Sequence, residues 1–269
     1  MAMGSGLKKV KRFDNLTFKI GTTSYIYPAT ILENINRLKG SIGDIELVLF
    51  EDPACGNIPT PAEIKELKRL SKRWGFSYTV HLPLEIGLGA KRDAERIRSI
   101  GTVTRLTRYL KGLAPQSYIM HVNLPEECKD DITSWQSRAG ESLDLLMRRD
   151  LSLAKHIAIE NLGYPFSYND PVLSSSGASV CVDIGHLVKS GIDVMGHLDK
   201  YYALTRVIHL HGVDCGKDHI SLKYFSKTLL NDILLFLEAR AYRGVLTIEV
   251  FSRPDLEESL EILWESLYS

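Results

Sequence analysis

Short apolar runs recur along the chain, and the stretches between them carry helix signals. Eight runs read as strands: Phe18–Thr23, Ile45–Phe50, Phe76–His81, Tyr118–His121, His156–Glu160, Ser179–Asp183, Val207–His211 and Val245–Val250. Most are near-continuous rather than alternating, the pattern of strands covered on both faces in a parallel sheet. Pro28 opens the helical stretch Pro28–Leu38 where proline is tolerated. Thr60-Pro61-Ala62-Glu63 supplies a cap, a proline and an acidic first turn for a second. Asp93–Leu110, Trp135–Arg149, Asp193–Tyr202, Leu222–Ala239 and Asp255–Leu267 follow. The crossover after Glu160 is weaker: Tyr164–Ser176 holds two prolines and a serine run, so only a short helix is expected.

Eight alternating β and α elements predict an α/β protein, a single (β/α)8 TIM barrel over residues 18–269. The alternative is a doubly wound open sheet. No Gly-x-Gly-x-x-Gly follows the first strand, which argues against a dinucleotide fold. Residues 1–17 read as an N-terminal tail: Lys8, Lys9, Lys11 and Arg12 are not followed by the apolar stretch of a secretory signal.

Active sites of such barrels lie at the C-terminal ends of the strands. The third to eighth runs present His81, His121, Glu160, Asp183, His211 and Glu249 there. One histidine after an apolar run is more often structural, and one carboxylate often caps a helix. Six in succession predict ligands gathered at one barrel mouth. His186, three residues after Asp183, joins them as that strand turns into its loop. Imidazole and carboxylate together suit Zn, Mn, Fe or Co better than Ca or Mg. His209 shares the strand face of His211 and is placed one layer deeper, as a supporting partner. His219, in the following loop, is either a further ligand or a substrate contact. His156 and His197 read as structural.

Composition narrows the partners. Lys+Arg and Asp+Glu are both 33, so the formal net charge is zero. Nucleic-acid affinity comes largely from neutralising phosphates with basic side chains, so a nucleic-acid partner is disfavoured and a small-molecule substrate expected. Cys55, Cys128, Cys181 and Cys215 form no C-x-x-C pair, which points to free thiols and a reducing, cytoplasmic setting. No apolar run approaches the roughly 18 residues of a membrane span.

The ordered strand-end residues resemble those of the xylose-isomerase-like barrels and, among these, the endonuclease IV (AP endonuclease family 2) group. That resemblance implies one metal held by His81, His121 and Glu160, with Glu160 bridging to a second held by Asp183, His211 and Glu249. It implies a third at His186 and His219. That group also uses an Asp-x-His pair after the seventh strand; here the segment is Lys217-Asp218-His219, with Lys in place of Asp, so two metals are expected and the third is in doubt. Three further segments are similar to the cobamide-remodelling hydrolases: Gly21-Thr22-Thr23-Ser24-Tyr25-Ile26-Tyr27-Pro28, Ile45-Glu46-Leu47-Val48-Leu49-Phe50-Glu51 and Tyr78-Thr79-Val80-His81-Leu82-Pro83-Leu84. The resemblance implies cleavage of a phosphoester bond in the nucleotide loop of cobamides (corrinoids).

On that reading Glu160 or Glu249 orients the attacking water, and Lys217 and Arg253 either meet substrate negative charge or are ordinary solvated charges. Tyr25 and Tyr27, with Tyr164, Phe166 and Tyr168, form an aromatic rim for a flat ligand. Leu84–Ala90, with Gly87 and Gly89, is either a lid or a packed loop. Glu46 and Glu51 receive no catalytic role. The rivals are a one-metal sugar isomerase or epimerase using Glu160, Asp183, His211 and Glu249, an AP endonuclease-like repair enzyme, and a non-catalytic barrel that carries a metal or corrinoid.

Overall fold

The computed structural model describes Phe13 and residues 15–51, 56–150, 152–153 and 155–268. Most of the expected tail, and Cys55, lie outside the described residues. Eight parallel strands close a barrel: β1 (Lys19–Thr23), β2 (Asp44–Val48), β3 (Ser77–His81), β4 (Tyr118–Met120), β5 (Ile157–Glu160), β6 (Ser179–Asp183), β7 (Thr205–Leu210) and β10 (Val245–Ile248). Their order around the wall is β1-β10-β7-β6-β5-β4-β3-β2. Helices α1 (Ile31–Leu38), α2 (Pro61–Trp74), α3 (Asp93–Leu110), α4 (Ile132–Arg149), α5 (Asp170–Ser176), α6 (Ile184–Lys189), α7 (Val194–Tyr201), α8 (Lys227–Ala239) and α9 (Arg253–Tyr268) accompany it. The (β/α)8 expectation is met.

Local chemistry sets the helix ends. Thr30 with Glu33, and Thr60 with Glu63, close reciprocal capping boxes on α1 and α2. Gly75 stops α2 in the left-handed conformation at φ 76. Outward strand residues such as Ile45, Leu47, Val80, Ile159, Val182, Ile208 and Ile248 pack with helix residues such as Leu67, Val103, Leu143 and Leu260 into one apolar core. The side chains between them in sequence point into the lumen, because strand residues alternate faces.

Several expected boundaries shift. Strands β4, β7 and β10 end one residue before His121, His211 and Glu249, so these three sit where the strands splay into loops. The stretch Leu222–Ala239 is not one helix: a 3-10 turn at Leu222–Tyr224 gives way at Ser226, whose side chain caps α8. Helix α4 begins at Ile132, capped by Asp131, rather than at Trp135. An unexpected antiparallel hairpin, β8 (Gly212–Asp214) and β9 (Lys217–Ile220), stands over the mouth after β7. Its two turn residues, Cys215 and Gly216, have φ of 47 and 79, the positive values that a tight hairpin turn demands.

The loop at Leu84–Ala90 is packed. Its carbonyls accept from Asn123, Arg138 and Ser142, and Gly87 N donates to Ser99 Oγ at 2.9 Å. A Cβ on Gly89 would lie 2.3 Å from Trp135 Nε1, so this close approach requires glycine.

Candidate metal centre

Alternation along each strand delivers the site. On β3 it sends Thr79 and His81 inward, on β6 Cys181 and Asp183, and on β7 Val207 and His209; Glu160 ends β5 on the same inner side. His121, His211 and Glu249 extend the pattern one step beyond their strands. His81 Nε2 lies 3.0 Å and His121 Nε2 3.2 Å from Glu160 Oε2. His211 Nε2 is 3.2 Å from Asp183 Oδ1. His186 Nδ1 is 3.3 Å from Asp183 Oδ2 and 3.6 Å from Glu160 Oε1. The expected ligands His81, His121, Glu160, Asp183, His186, His211, Glu249 and His219 therefore share one mouth.

They fall into groups, within each of which the donor atoms lie inside 4.8 Å of one another. One is His81, His121 and Glu160; another is Glu160, Asp183, His209 and Glu249; a third is His186, His211 and His219. A fourth group joins Glu160 and His209 to Cys181, so Glu160 belongs to all three groups that contain a carboxylate. His209, expected to be a supporting partner, stands among the carboxylates, with Nδ1 3.1 Å from Glu249 Oε2. Glu46, given no role from sequence, contacts the other nitrogen of that ring at 3.0 Å. Periodicity could have placed Glu46 in the lumen, but not against a residue on the opposite wall.

Local structure fixes the ligand orientations. Asp183 caps α6 with Oδ1 on His186 N at 2.7 Å, which leaves Oδ2 for the mouth. Asn161 clamps the ends of β5 and β6 together: its Nδ2 donates to Asp183 O and its Oδ1 accepts from Asp183 N, at 2.9 and 2.7 Å. Gly185 is required here, since a Cβ there would lie 2.0 Å from His211 Cε1. His81 holds Nδ1 against the Leu82 carbonyl at 2.9 Å, and His186 holds Nδ1 against the Asn161 carbonyl at 3.2 Å. Such bonds set the tautomer that presents Nε2.

The donor set fits divalent cations. Asp183 Oδ2, Glu249 Oε2, His209 Nδ1, His211 Nε2 and His219 Nδ1 are buried without a hydrogen-bond partner, although such atoms are rarely left unpaired. Several carboxylates also converge in a buried space, where like charges repel strongly. Burial raises the pKa of Glu160, but the charge and hydrogen bond of His121, with His209 and His81, pull it well below the ordinary range. Burial likewise works against the His81 proton, yet Glu160 prevails and raises that pKa to about 9. Metal-free, the cluster holds protons where a cation fits.

The expected rim is rearranged. Tyr25 is 45% exposed and packs edge-on against Phe50 and Phe251, with centroids at 5.7 and 6.4 Å. Phe251 in turn meets His219 at 5.2 Å, so an aromatic shelf abuts the histidines. Tyr27, expected beside Tyr25, is instead buried under Arg37, because Asn34 brackets its main chain from α1. Phe166 packs against His197 and Tyr201 rather than the rim. Tyr164 and Tyr168 stack on each other, and Tyr164 donates to the Val122 carbonyl. Lys217 is exposed at the start of β9. Arg253, at the start of α9, is turned onto Glu257 at 2.9 Å. Glu51 pairs with Arg105.

A profile of the xylose isomerase-like TIM barrel family matches residues 43–266. The chain belongs to that family. Three solved structures illustrate how this xylose isomerase-like barrel compares with others. A D-tagatose 3-epimerase-like protein is 19% identical with a TM-score of 0.78, covering 93% of this chain and 97% of that one. D-psicose 3-epimerase from Clostridium cellulolyticum, solved with D-tagatose, is 15% identical with a TM-score of 0.73, over 93% and 99%. Endonuclease IV from Thermus thermophilus is 16% identical with a TM-score of 0.70, over 93% and 98%. At these identities the likeness is one of fold. No protein of curated function matches the chain in sequence. Among the described residues, no helix is long and apolar enough to cross a membrane.

Proposed function

We propose that this xylose isomerase-like barrel is a two-metal phosphoester hydrolase whose substrate is a cobamide, cleaved in its nucleotide loop. The observation that carries the reading is the position of Glu160, shared between the His81–His121 group and the Asp183–Glu249 group. His81, His121 and Glu160 would hold one divalent ion, and Glu160, Asp183, His211 and Glu249 the second. Such ions supply Lewis acidity, acidifying water and neutralising phosphoryl charge.

The protein's part is positioning and electrostatics, which phosphoryl transfer mainly requires. Leu82 and Asn161 fix the imidazoles through their carbonyls. Glu249, with one buried oxygen unpaired, orients the attacking water alongside Glu160. Tyr25 and Phe251 offer apolar faces beside His219, which suits a flat ring system at the reacting end of a large substrate. Lys217, on the exposed hairpin, meets phosphate charge.

A second reading has its own support. Glu160, Asp183, His211 and Glu249 alone would serve a single-metal sugar epimerase, and epimerases predominate by name among the structural neighbours. That reading leaves His81 and His121 without work. Metal-loaded protein incubated in parallel with a cobamide, a ketohexose and abasic DNA separates the options. Release of a phosphoester cleavage product from the cobamide alone is expected. Epimerised sugar with an intact cobamide would overturn the proposal.

A further inference from the structure

In most barrels of this kind, branched apolar side chains fill the lumen. Here only part of it is so filled, by Ile119, Ala158, Cys181 and Val207 from β4 to β7. On the other side β2 and β3 bury Asp44, Glu46 and Thr79 completely. Burying such groups costs free energy unless each finds a partner. Asp44 accepts from the Ser77 and Thr79 hydroxyls at 2.5 and 2.8 Å. Glu46 lies 3.5 Å from Thr79 Oγ1 and makes its short contact, 3.0 Å, with His209 Nε2. The polar series thus ends on one ring in the metal centre.

An ionised carboxylate only accepts, so this bond places the proton on Nε2. On a ring carrying that single proton, Nδ1 has a lone pair. It faces Glu249 Oε2 at 3.1 Å, Glu160 Oε1 at 3.8 Å and Asp183 Oδ2 at 3.9 Å. A lone pair opposite three carboxylate oxygens is repulsive unless a cation lies between them or the ring takes a second proton. His81 is turned the other way, with Nδ1 on the Leu82 carbonyl and Nε2 presented.

We propose that His209 is a metal ligand through Nδ1, beside Glu160, Asp183 and Glu249, and that Glu46 is the residue that positions it. A carboxylate behind a ligating imidazole fixes its tautomer and raises its basicity. The inference rests on a divalent ion being held by those carboxylates, not on which reaction follows. Cobamide hydrolysis can therefore fail without it.

The test uses the full chain, stripped and titrated with zinc against a competing chelator, as wild type, Glu46→Gln and Glu46→Ala. Glu46→Ala is expected to weaken the carboxylate-side ion by about 10–100-fold while the ion at His81 and His121 keeps its affinity. Glu46→Gln should recover most of the loss, because its amide oxygen still accepts from Nε2. Nitrogen-15 histidine spectra of zinc-loaded wild type, assigned by loss of the signal in His209→Gln, should show a zinc-bound Nδ1 and protonated Nε2 at His209, the reverse of His81. These spectra and Glu46→Gln decide the matter even if Glu46→Ala does not fold. A His209 ring untouched by zinc, a ring bound through Nε2, or equal loss at both ions in Glu46→Gln overturns the proposal. Wild type with the expected His209 spectrum but no cobamide cleavage overturns the hydrolase reading alone.

Discussion

Two histidine groups share the barrel mouth, and they differ in one carboxylate. His81 and His121 both aim Nε2 at Glu160, at 3.0 and 3.2 Å. His186, His211 and His219 gather as closely, but the nearby Asp218 is turned away onto Lys189 Nζ at 2.7 Å. The local backbone supplies the reason: the β8–β9 register slips here and His219 has φ 54, so Asp218 and His219 are not delivered to the mouth together. Lys217, two residues before His219, is exposed and carries the wrong charge for a ligand. The second group depends on Asp183, already engaged in capping α6. Burial also lowers the pKa of His219, more than the carboxylate charge of Glu249 restores. A single-residue offset thus separates a group complete for a cation from one lacking its anion.

The largest effect should follow from removing the shared carboxylate. Glu160→Ala is expected to empty both proposed ion sites and to cost more than the ~100-fold typical of a supporting residue, read by metal content and turnover together. His121→Ala should be narrower: one ion lost, the Asp183–Glu249 ion kept, and hydrolysis abolished. Lys217→Asp turns the comparison around. It restores an Asp-x-His spacing on β9, and bound zinc should rise by one ion per chain; unchanged stoichiometry would show that more than the carboxylate is missing. Truncating the shelf with Phe251→Ala should raise KM more than it lowers kcat, because its ring contacts His219 from outside the ligand set.

The smallest effect concerns pH. In the metal-free protein, burial pushes His81 and His211 down, but Glu160 and Asp183 respectively outweigh it and raise both to about 9. Folded values above the unfolded one mean that this stabilisation is complete below ~6.5 and is lost as pH rises through about 9. Metal-free Tm should therefore fall between those limits. The zinc-loaded protein should not follow, since ligation replaces the protons and releases them on binding.

The barrel was legible because its strands are apolar on the outer face and a helix start such as Thr60 carries a plain cap, although α1 starts at Ile31 behind Thr30 and not at Pro28. The strand-end ligands were legible because the mouth of a parallel barrel collects whatever follows each apolar run. What stayed hidden depends on contacts across the lumen. Glu46 and His209 are 163 residues apart in sequence, and nothing local to either names the other as its partner. A weak local signal existed: Asp44-x-Glu46 and Thr79-x-His81 place polar groups inward at successive levels of neighbouring strands. The hairpin was missed because its strands are short and polar, although Cys215-Gly216 marks its turn. Tyr27 was misplaced because the Asn34 bracket that draws it inward has no sequence signature of its own.

Metal content of the full-length chain tests the central claim most directly. Elemental analysis after zinc loading and removal of free metal should return two ions per chain, falling to one in His81→Ala. One ion per chain in the wild type, unchanged by His81→Ala, would contradict a centre bridged by Glu160.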